Sequence, residues 1–301
     1  MFSKSLTEMS QRVIKPIYSG KVREIYPRDD GTLIMVATDR ISAYDRIFDE
    51  PVPGKGRLLT ALSAELFPKL ESVIPTHFRD VLTDGSEFAG RALVVDAAEM
   101  IPVECIVRQY LVGSAWREYC QTRTVNGQRM ADGLRFQERL ERPLFTPSTK
   151  ASVGHDEPLS PSELVNLVGR RTAQELEQAA LAVFTQGAAV LSQAGLTLVD
   201  SKFEFGRVRG TLTLCDEVLT PDSSRLTRGG LDPASPPRWI DKQILRDWLA
   251  EKGFLGDGAL PRLTPEIVAS LLEAYRYIYE SVAGKSFDEW PGSGIYLGEA
   301  N

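Results

Sequence analysis

At 301 residues, 43% hydrophobic and 25% charged, the chain has a near-average globular composition and can bury a large core, in two domains or one with sub-lobes. A formal net charge of −6 without a long basic run argues against nucleic-acid binding through phosphates. Cys105, Cys120 and Cys215 are odd in number and form no CxxC pair, so neither a disulfide framework nor a thiolate zinc site is expected. That cysteine usage, and an opening MFSKSLTEMSQRVIKP without an apolar h-region, lead us to expect a cytoplasmic protein.

In chain order, residues 13–38 read as a β-meander: IYSGKVREIY as strand, glycine turn and strand, PRDDG as a turn, and TLIMVAT as an apolar strand. RLLTALSAELFPKL carries Leu58, Leu59, Leu62 and Leu66 at helical spacing. RALVVDA and PVECIVRQY read as strands on either side of AEMIP. A boundary near 97–102 separates a strand-rich part, 1–100, from a mixed part, 101–301. SAWREYCQ is a short helix with Ser114 as its cap. TVNGQ is a hairpin turn of the Asn-Gly kind. SPSELVNLVG begins on a Ser cap and ends at Gly169, and a longer helix follows over about 171–194.

The uncharged run 179–199 is long enough to cross a bilayer. Its Gln186, Gln193, Gly187 and Gly195 make it read instead as a buried helix that stops at Gly195 and feeds the strand LTLVD. DKQILRDWLAEKG and TPEIVASLLEAYRYIYESVAG are terminal helices, each ending near a glycine.

The chemistry concentrates in DSKFEFG and DEVLTPDSSR. Asp200, Lys202 and Glu204 alternate along a strand. A turn at Arg209-Gly210 would set Glu204 opposite Cys215, one place from Asp216. A bulge at Gly206 would bring both carboxylates to one face. Paired carboxylates suit Mg²⁺, and Lys202 on the same face suits phosphate oxygens. In TPDSSR the acid Asp222 is followed by Ser224 and Arg225, good donors to a phosphate monoester. Each piece alone is explained as well by a solvated hairpin face or an ordinary Ser/Asp turn.

Elsewhere, SGKVR offers a glycine turn with Gly20 and Lys21, though without Walker spacing. ATDRISAYD ends a strand in charged groups, Asp39 and Arg40. Arg108, followed by Ser114 at a helix N-terminus, forms a candidate anion site. FTPSTKA adds Ser148, Thr149 and Lys150. His77 and His155 lack partners at metal-ligand spacing, and no nucleophile elbow is present. Chemistry would rest on positioning and electrostatics, as in phosphoryl transfer.

GKVREIY, ATDRISAYD, IPVECIVRQYLVGSAW, FTPSTKA, DSKFEFG, DEVLTPDSSR and DKQILRDWL stand in an order that resembles the phosphoribosylaminoimidazole-succinocarboxamide synthase (SAICAR synthetase) family, over about residues 18–250. The resemblance implies an α+β / α/β fold of two lobes. One is an N-terminal, kinase-like antiparallel β lobe; the other is a larger ATP-grasp-like α/β lobe, with a nucleotide cleft between them. It implies an ATP-dependent ligase joining carboxyaminoimidazole ribonucleotide (CAIR) to L-aspartate, with Mg²⁺.

By the same likeness Gly20, Lys21 and Lys202 meet the nucleotide, with Glu99 and Ile101 at an adenine hinge. Glu204 and Asp216 are the metal ligands. Arg108, Ser114, Ser224 and Arg225 meet CAIR. Asp200 and Asp222 lie at the reacting centre, and Lys150 is assigned to the aspartate pocket. The partners are small molecules, with neither nucleic acid nor membrane, and a homo-oligomer is left open. The rival readings are a small-molecule kinase and a nucleotide-binding module without turnover.

Overall fold

The computed structural model describes residues 15–150 and 156–292. In chain order its elements begin with β1 (Tyr18–Ser19), β2 (Arg23–Pro27), β3 (Thr32–Ala37), β4 (Ser42–Ala43), β5 (Arg46–Ile47) and α1 (Lys55–Leu70). β6 (Phe78–Val81), β7 (Ala92–Asp96), the long β8 (Glu99–Tyr110), α2 (Gly113–Thr122), β9 (Thr124–Val125) and β10 (Gln128–Arg129) follow. Then come β11 (Arg139–Phe145), β12 (Ser148–Thr149), α3 (Pro161–Val168), α4 (Arg170–Gln193), β13 (Leu196–Val208), β14 (Thr211–Cys215) and β15 (Ser224–Arg228). α5 (Gln243–Glu251) and α6 (Pro265–Ala283) are the last α-helices described, followed by a 3-10 turn at Phe287–Glu289.

These elements form two compact units. The first combines the described residues up to Glu65 with His77–Ala97 and those from Lys242 onward; the second combines Leu66–Thr76 with Ala98–Asp241. The first unit holds a five-stranded antiparallel sheet in the order β1-β2-β3-β7-β6. Alternation along β3 and β7 puts Ile34, Val36, Ala92 and Val94 into one core cluster with Leu82. Tyr26 and Phe88 pack on that cluster, their rings 5.2 Å apart.

This division departs from a single cut at 100/101 because the chain's end belongs to the first unit. α6 starts with Pro265 after Thr264, where proline's missing N–H is no loss. Its stripe of Ile267, Leu271, Tyr275 and Ile278 is buried. Tyr279 meets Phe287 and Trp290 edge-on at 5.4 and 6.1 Å, and Trp290 Nε1 donates to the Gly90 carbonyl at 2.8 Å. Residues 66–76 join the second unit instead, where Leu214 N–H donates to the Pro75 carbonyl at 2.9 Å.

The second unit is organised by β13, the longest strand. β8 lies along one edge of it; β15 and then β14 share the other, and β11 and β12 continue the sheet beyond β8. All these pairings are antiparallel. α4 covers β13 and β8 with Leu176, Ala180, Val183, Phe184 and Leu191, a helical stripe. The uncharged run thus ends as expected, with α4 stopping at Gln193 and β13 starting at Leu196. Among the described residues no helix is long and apolar enough to cross a membrane. α3 has the expected capping box, with Ser160 and Glu163 satisfying each other's backbone N–H groups.

Candidate active site

The sheet of the second unit lines up alternate residues of neighbouring strands into cross-sheet rows. The pleat sends Asp200, Lys202 and Glu204 of β13 to one face, with Arg108, Ile106 and Glu104 of β8 opposite them. One row reads Arg108–Asp200–Arg225 across β8, β13 and β15. Another reads Ser148–Glu104–Glu204–Cys215 across β12, β8, β13 and β14.

The first row is a charge clamp. Asp200 Oδ2 accepts from Arg108 Nη1 at 3.1 Å and lies 3.3 Å from Arg225 Nη1. Arg108 Nε donates to Thr146 Oγ1 at 3.0 Å, and its Nη2 reaches Ser114 Oγ at 3.5 Å. The Asp200 and Arg108 side chains are only 8% and 12% exposed. Burial lowers the Arg108 pKa, and Asp200 opposes that shift. Two guanidinium groups against one carboxylate leave a positive balance, and α2 begins there. Gly113 opens that helix at φ +58°, a left-handed conformation that favours glycine, and a Cβ there would stand 2.4 Å from Arg225 Nη1 and push the guanidinium aside.

Two expectations change at this end. The cap position of α2 is Val112, which makes no side-chain cap; Ser114 lies two residues further in, and its hydroxyl meets Arg108 instead. Ser224 pairs with Ser201, so its side chain takes the opposite face, where the two hydroxyls bond at 2.8 Å. Asp222 sits in the turn before β15, its N–H donating to Thr220 Oγ1 at 3.3 Å.

The second row gathers acids and lysines. Lys202 donates to Glu104 Oε1 and lies 3.7 Å from Glu204 Oε1, while Lys150 donates to Glu204 Oε2. Burial works against both ammonium groups. Glu104 and Glu204 outweigh it at Lys202, and Glu204 at Lys150, so both pKa values are raised, with Asp216 adding to each. Burial pushes the Glu104 carboxyl above the usual range, against Lys202. Burial, followed by Asp216, pushes the Cys215 thiol up to about 12, which makes it a poor nucleophile.

The hairpin register is as expected, with Glu204 opposite Cys215 and Arg209-Gly210 at the turn. The bulge is not in the hairpin. β13 and β14 pair without a break from Glu204–Cys215 to Val208–Thr211, and the irregularity falls on the β8 edge, between Glu204 and Gly206. What re-aims Asp216 is its own backbone, at φ +63° just past the end of β14, a conformation aspartate tolerates better than most residues. Gly206 serves a different need: a Cβ there would come within 2.9 Å of Ala98 Cβ and 3.0 Å of the Glu99 carbonyl.

AEMIP, expected to separate two strands, is itself largely strand. Glu99 already opens β8 opposite Arg207, and Ile101 is buried. In the first unit, Gly20 N–H donates to the Arg23 carbonyl at 2.8 Å, within its own turn. Arg40 binds the carbonyls of Gly20 and Lys21 at 3.1 and 3.0 Å and Glu24 at 3.0 Å, and Lys21 pairs with Asp45. Asp39 accepts from Gly56 N–H at 2.9 Å in the first turn of α1, a structural duty. His77 is buried, and His155 lies outside the described residues.

Sequence reasoning missed Glu104 and Thr146. Glu104 stands at period two from Arg108 in a strand whose other face is Val103, Cys105 and Val107, and that was its legible signal. The buried Ser148 Oγ has no hydrogen-bond partner among the described residues.

No three His, Cys, Asp or Glu side chains gather as a metal cage among the described residues. Two carboxylates, Glu204 and Asp216, beside two lysines do fit Mg²⁺, which keeps waters and takes phosphate oxygens as its remaining ligands.

A buried acid–lysine cluster and a separate arginine clamp on one sheet describe an enzyme of phosphate-bearing substrates. The SAICAR synthetase family model matches residues 16–262, and the chain belongs to that family. It is 41% identical over 281 residues to the phosphoribosylaminoimidazole-succinocarboxamide synthase of Chromobacterium violaceum, covering 90% of this chain and 99% of that one. The SAICAR synthase of Saccharomyces cerevisiae complexed with SAICAR superposes with a TM-score of 0.82 at 35% identity, covering 92% of this chain and 97% of that one. A type-2 SAICAR synthetase in complex with ADP gives 0.68 at 27% identity, covering 89% and 98%.

Proposed function

We infer that this sheet face is where the chain, an ATP-dependent ligase of purine biosynthesis, joins the carboxylate of CAIR to the amine of L-aspartate. The products would be SAICAR, ADP and phosphate. One observation carries the reading: β13 holds Asp200 between two arginines and, four residues on, Glu204 among lysines. That separation is about 13 Å along the strand. A ribonucleotide phosphate and a transferable phosphoryl group can thus be held on one rigid element.

Arg108, Ser114 and Arg225 would bind the ribonucleotide phosphate; Ser224 contributes through its place in β15 rather than its hydroxyl. Glu204 and Asp216 would hold Mg²⁺, which when bound offsets charge on phosphate oxygens. Lys202 offsets charge at the transferring group. A CAIR carboxylate oxygen attacks the γ-phosphorus and ADP leaves. The aspartate nitrogen then attacks the acyl carbon and phosphate leaves. Asp222 is the candidate acceptor for the amine proton. Asp200 Oδ2 is shared by two guanidinium groups and suits orientation of Arg108 and Arg225. Lys150 is assigned to the aspartate carboxylate, and Gly20, Lys21, Glu99 and Ile101 to the nucleotide by family likeness.

The test is ADP release with ATP, Mg²⁺, CAIR and L-aspartate, omitting each in turn. Release that needs all four, with succinocarboxamide product, supports the ligase. Phosphorylated product without amide would make it a kinase. Glu204→Ala is expected to cut turnover about 10²-fold or more with the fold intact; full activity would remove the metal assignment.

A further inference from the structure

Glu104 and Glu204 face each other directly across β8 and β13, and both are buried or nearly so. Two opposed carboxylates repel unless a cation stands between them. The cation present is the Lys202 ammonium, and it is placed unequally: it donates to Glu104 Oε1 and stays 3.7 Å from Glu204 Oε1. Glu204 meanwhile already receives Lys150. Without Glu104, the nearest carboxylate to Lys202 is Glu204, which would then carry two ammonium groups.

We propose that Glu104 is a positioning residue that draws the Lys202 ammonium away from Glu204, leaving Oε1 of that carboxylate open to a divalent cation. Glu104 touches neither cation nor nucleotide in this account; it acts through Lys202. The inference rests on the assignment of Glu204 to the metal made above. It is specific about sign and route. Neutralising Glu104 weakens metal binding because Lys202 relocates to Glu204, and it has this effect only while Lys202 is present.

The test is a double-mutant cycle on the full chain, read by calorimetric titration with Mn²⁺–ADP and with metal-free ADP. The quantity compared is the ratio of the two affinities, which isolates the metal's contribution. Glu104→Gln is expected to lower that ratio about tenfold in the native background. In a Lys202→Met background the same change is expected to move it less than about twofold. Glu104→Asp, which keeps the charge one methylene further back, is expected to restore part of the loss and serves if the Gln variant does not fold.

An equal loss from Glu104→Gln in both backgrounds would mean that Glu104 acts on the cation by its own field, and would overturn the proposal. No loss in the native background would overturn it too. Glu204→Gln is the separate control. If the ratio survives that change, the metal assignment fails first and the proposal falls with it. If Glu204→Gln abolishes the ratio while Glu104 shows no coupling to Lys202, the assignment stands and only the proposal fails.

Discussion

Replacing Asp200 by Asn keeps the volume between Arg108 and Arg225 but removes the charge that both guanidinium groups share. At 3.1 and 3.3 Å each attraction is about 5 kcal/mol with an effective dielectric constant near 20. Desolvation has already offset much of this, and the measured cost of leaving a buried pair without one partner is about 3–5 kcal/mol. Asn retains an acceptor oxygen, so the lower end, about 3 kcal/mol, is expected for the unit's stability. Urea denaturation with a fitted slope measures it.

The same change makes the clamp more positive. Ribose 5-phosphate, a monoester that stands in for the ribonucleotide end, is expected to bind at least as tightly to the variant. At a hundred times its dissociation constant it should return about 2.7 kcal/mol. A variant as stable as the parent would refute the clamp, and so would one that binds ribose 5-phosphate more weakly. Loss of turnover with unchanged stability would instead put Asp200 at the chemical step.

Three further perturbations bear on the scaffold. Gly206→Ala is expected to cost about 1–3 kcal/mol, because the added methyl meets Ala98 at 2.9 Å, and the loss should appear as a lower Tm. Trp290→Ala removes a buried ring and its bond to the Gly90 carbonyl, and should cost about 3–5 kcal/mol in the urea unfolding of the first unit. Glu24 titrates below its ordinary 4.5: burial raises it, but hydrogen bonds from Tyr26 and Arg40 outweigh that. Its stabilisation is therefore present above pH 4.5 and lost as pH falls through the lowered value. The urea midpoints of the parent and Glu24→Gln should differ at neutral pH and converge on acidification; a gap that widens in acid would contradict the sign.

Local pattern carried much of this protein. Period-two alternation in DSKFEFG and PVECIVRQY, the Arg209-Gly210 turn and the Ser160 capping box are consequences of pleat, turn chirality and orphan N–H groups, all of which act over a few residues. The ordered set of motifs was enough to place the chain in its family. Tertiary structure alone decided what depends on a partner distant in sequence. Ser148, Glu104, Glu204 and Cys215 form one row only because β12, β8, β13 and β14 pair in one register, across separations that no local spacing encodes. The same pairing turned Ser224 away and moved the bulge from the hairpin to the β8 edge. The C-terminal segment belongs to the first unit, where Trp290 Nε1 donates to the carbonyl of Gly90, 200 residues earlier. Such pairings are set by which apolar surfaces can be buried together, and that is settled by the whole chain at once.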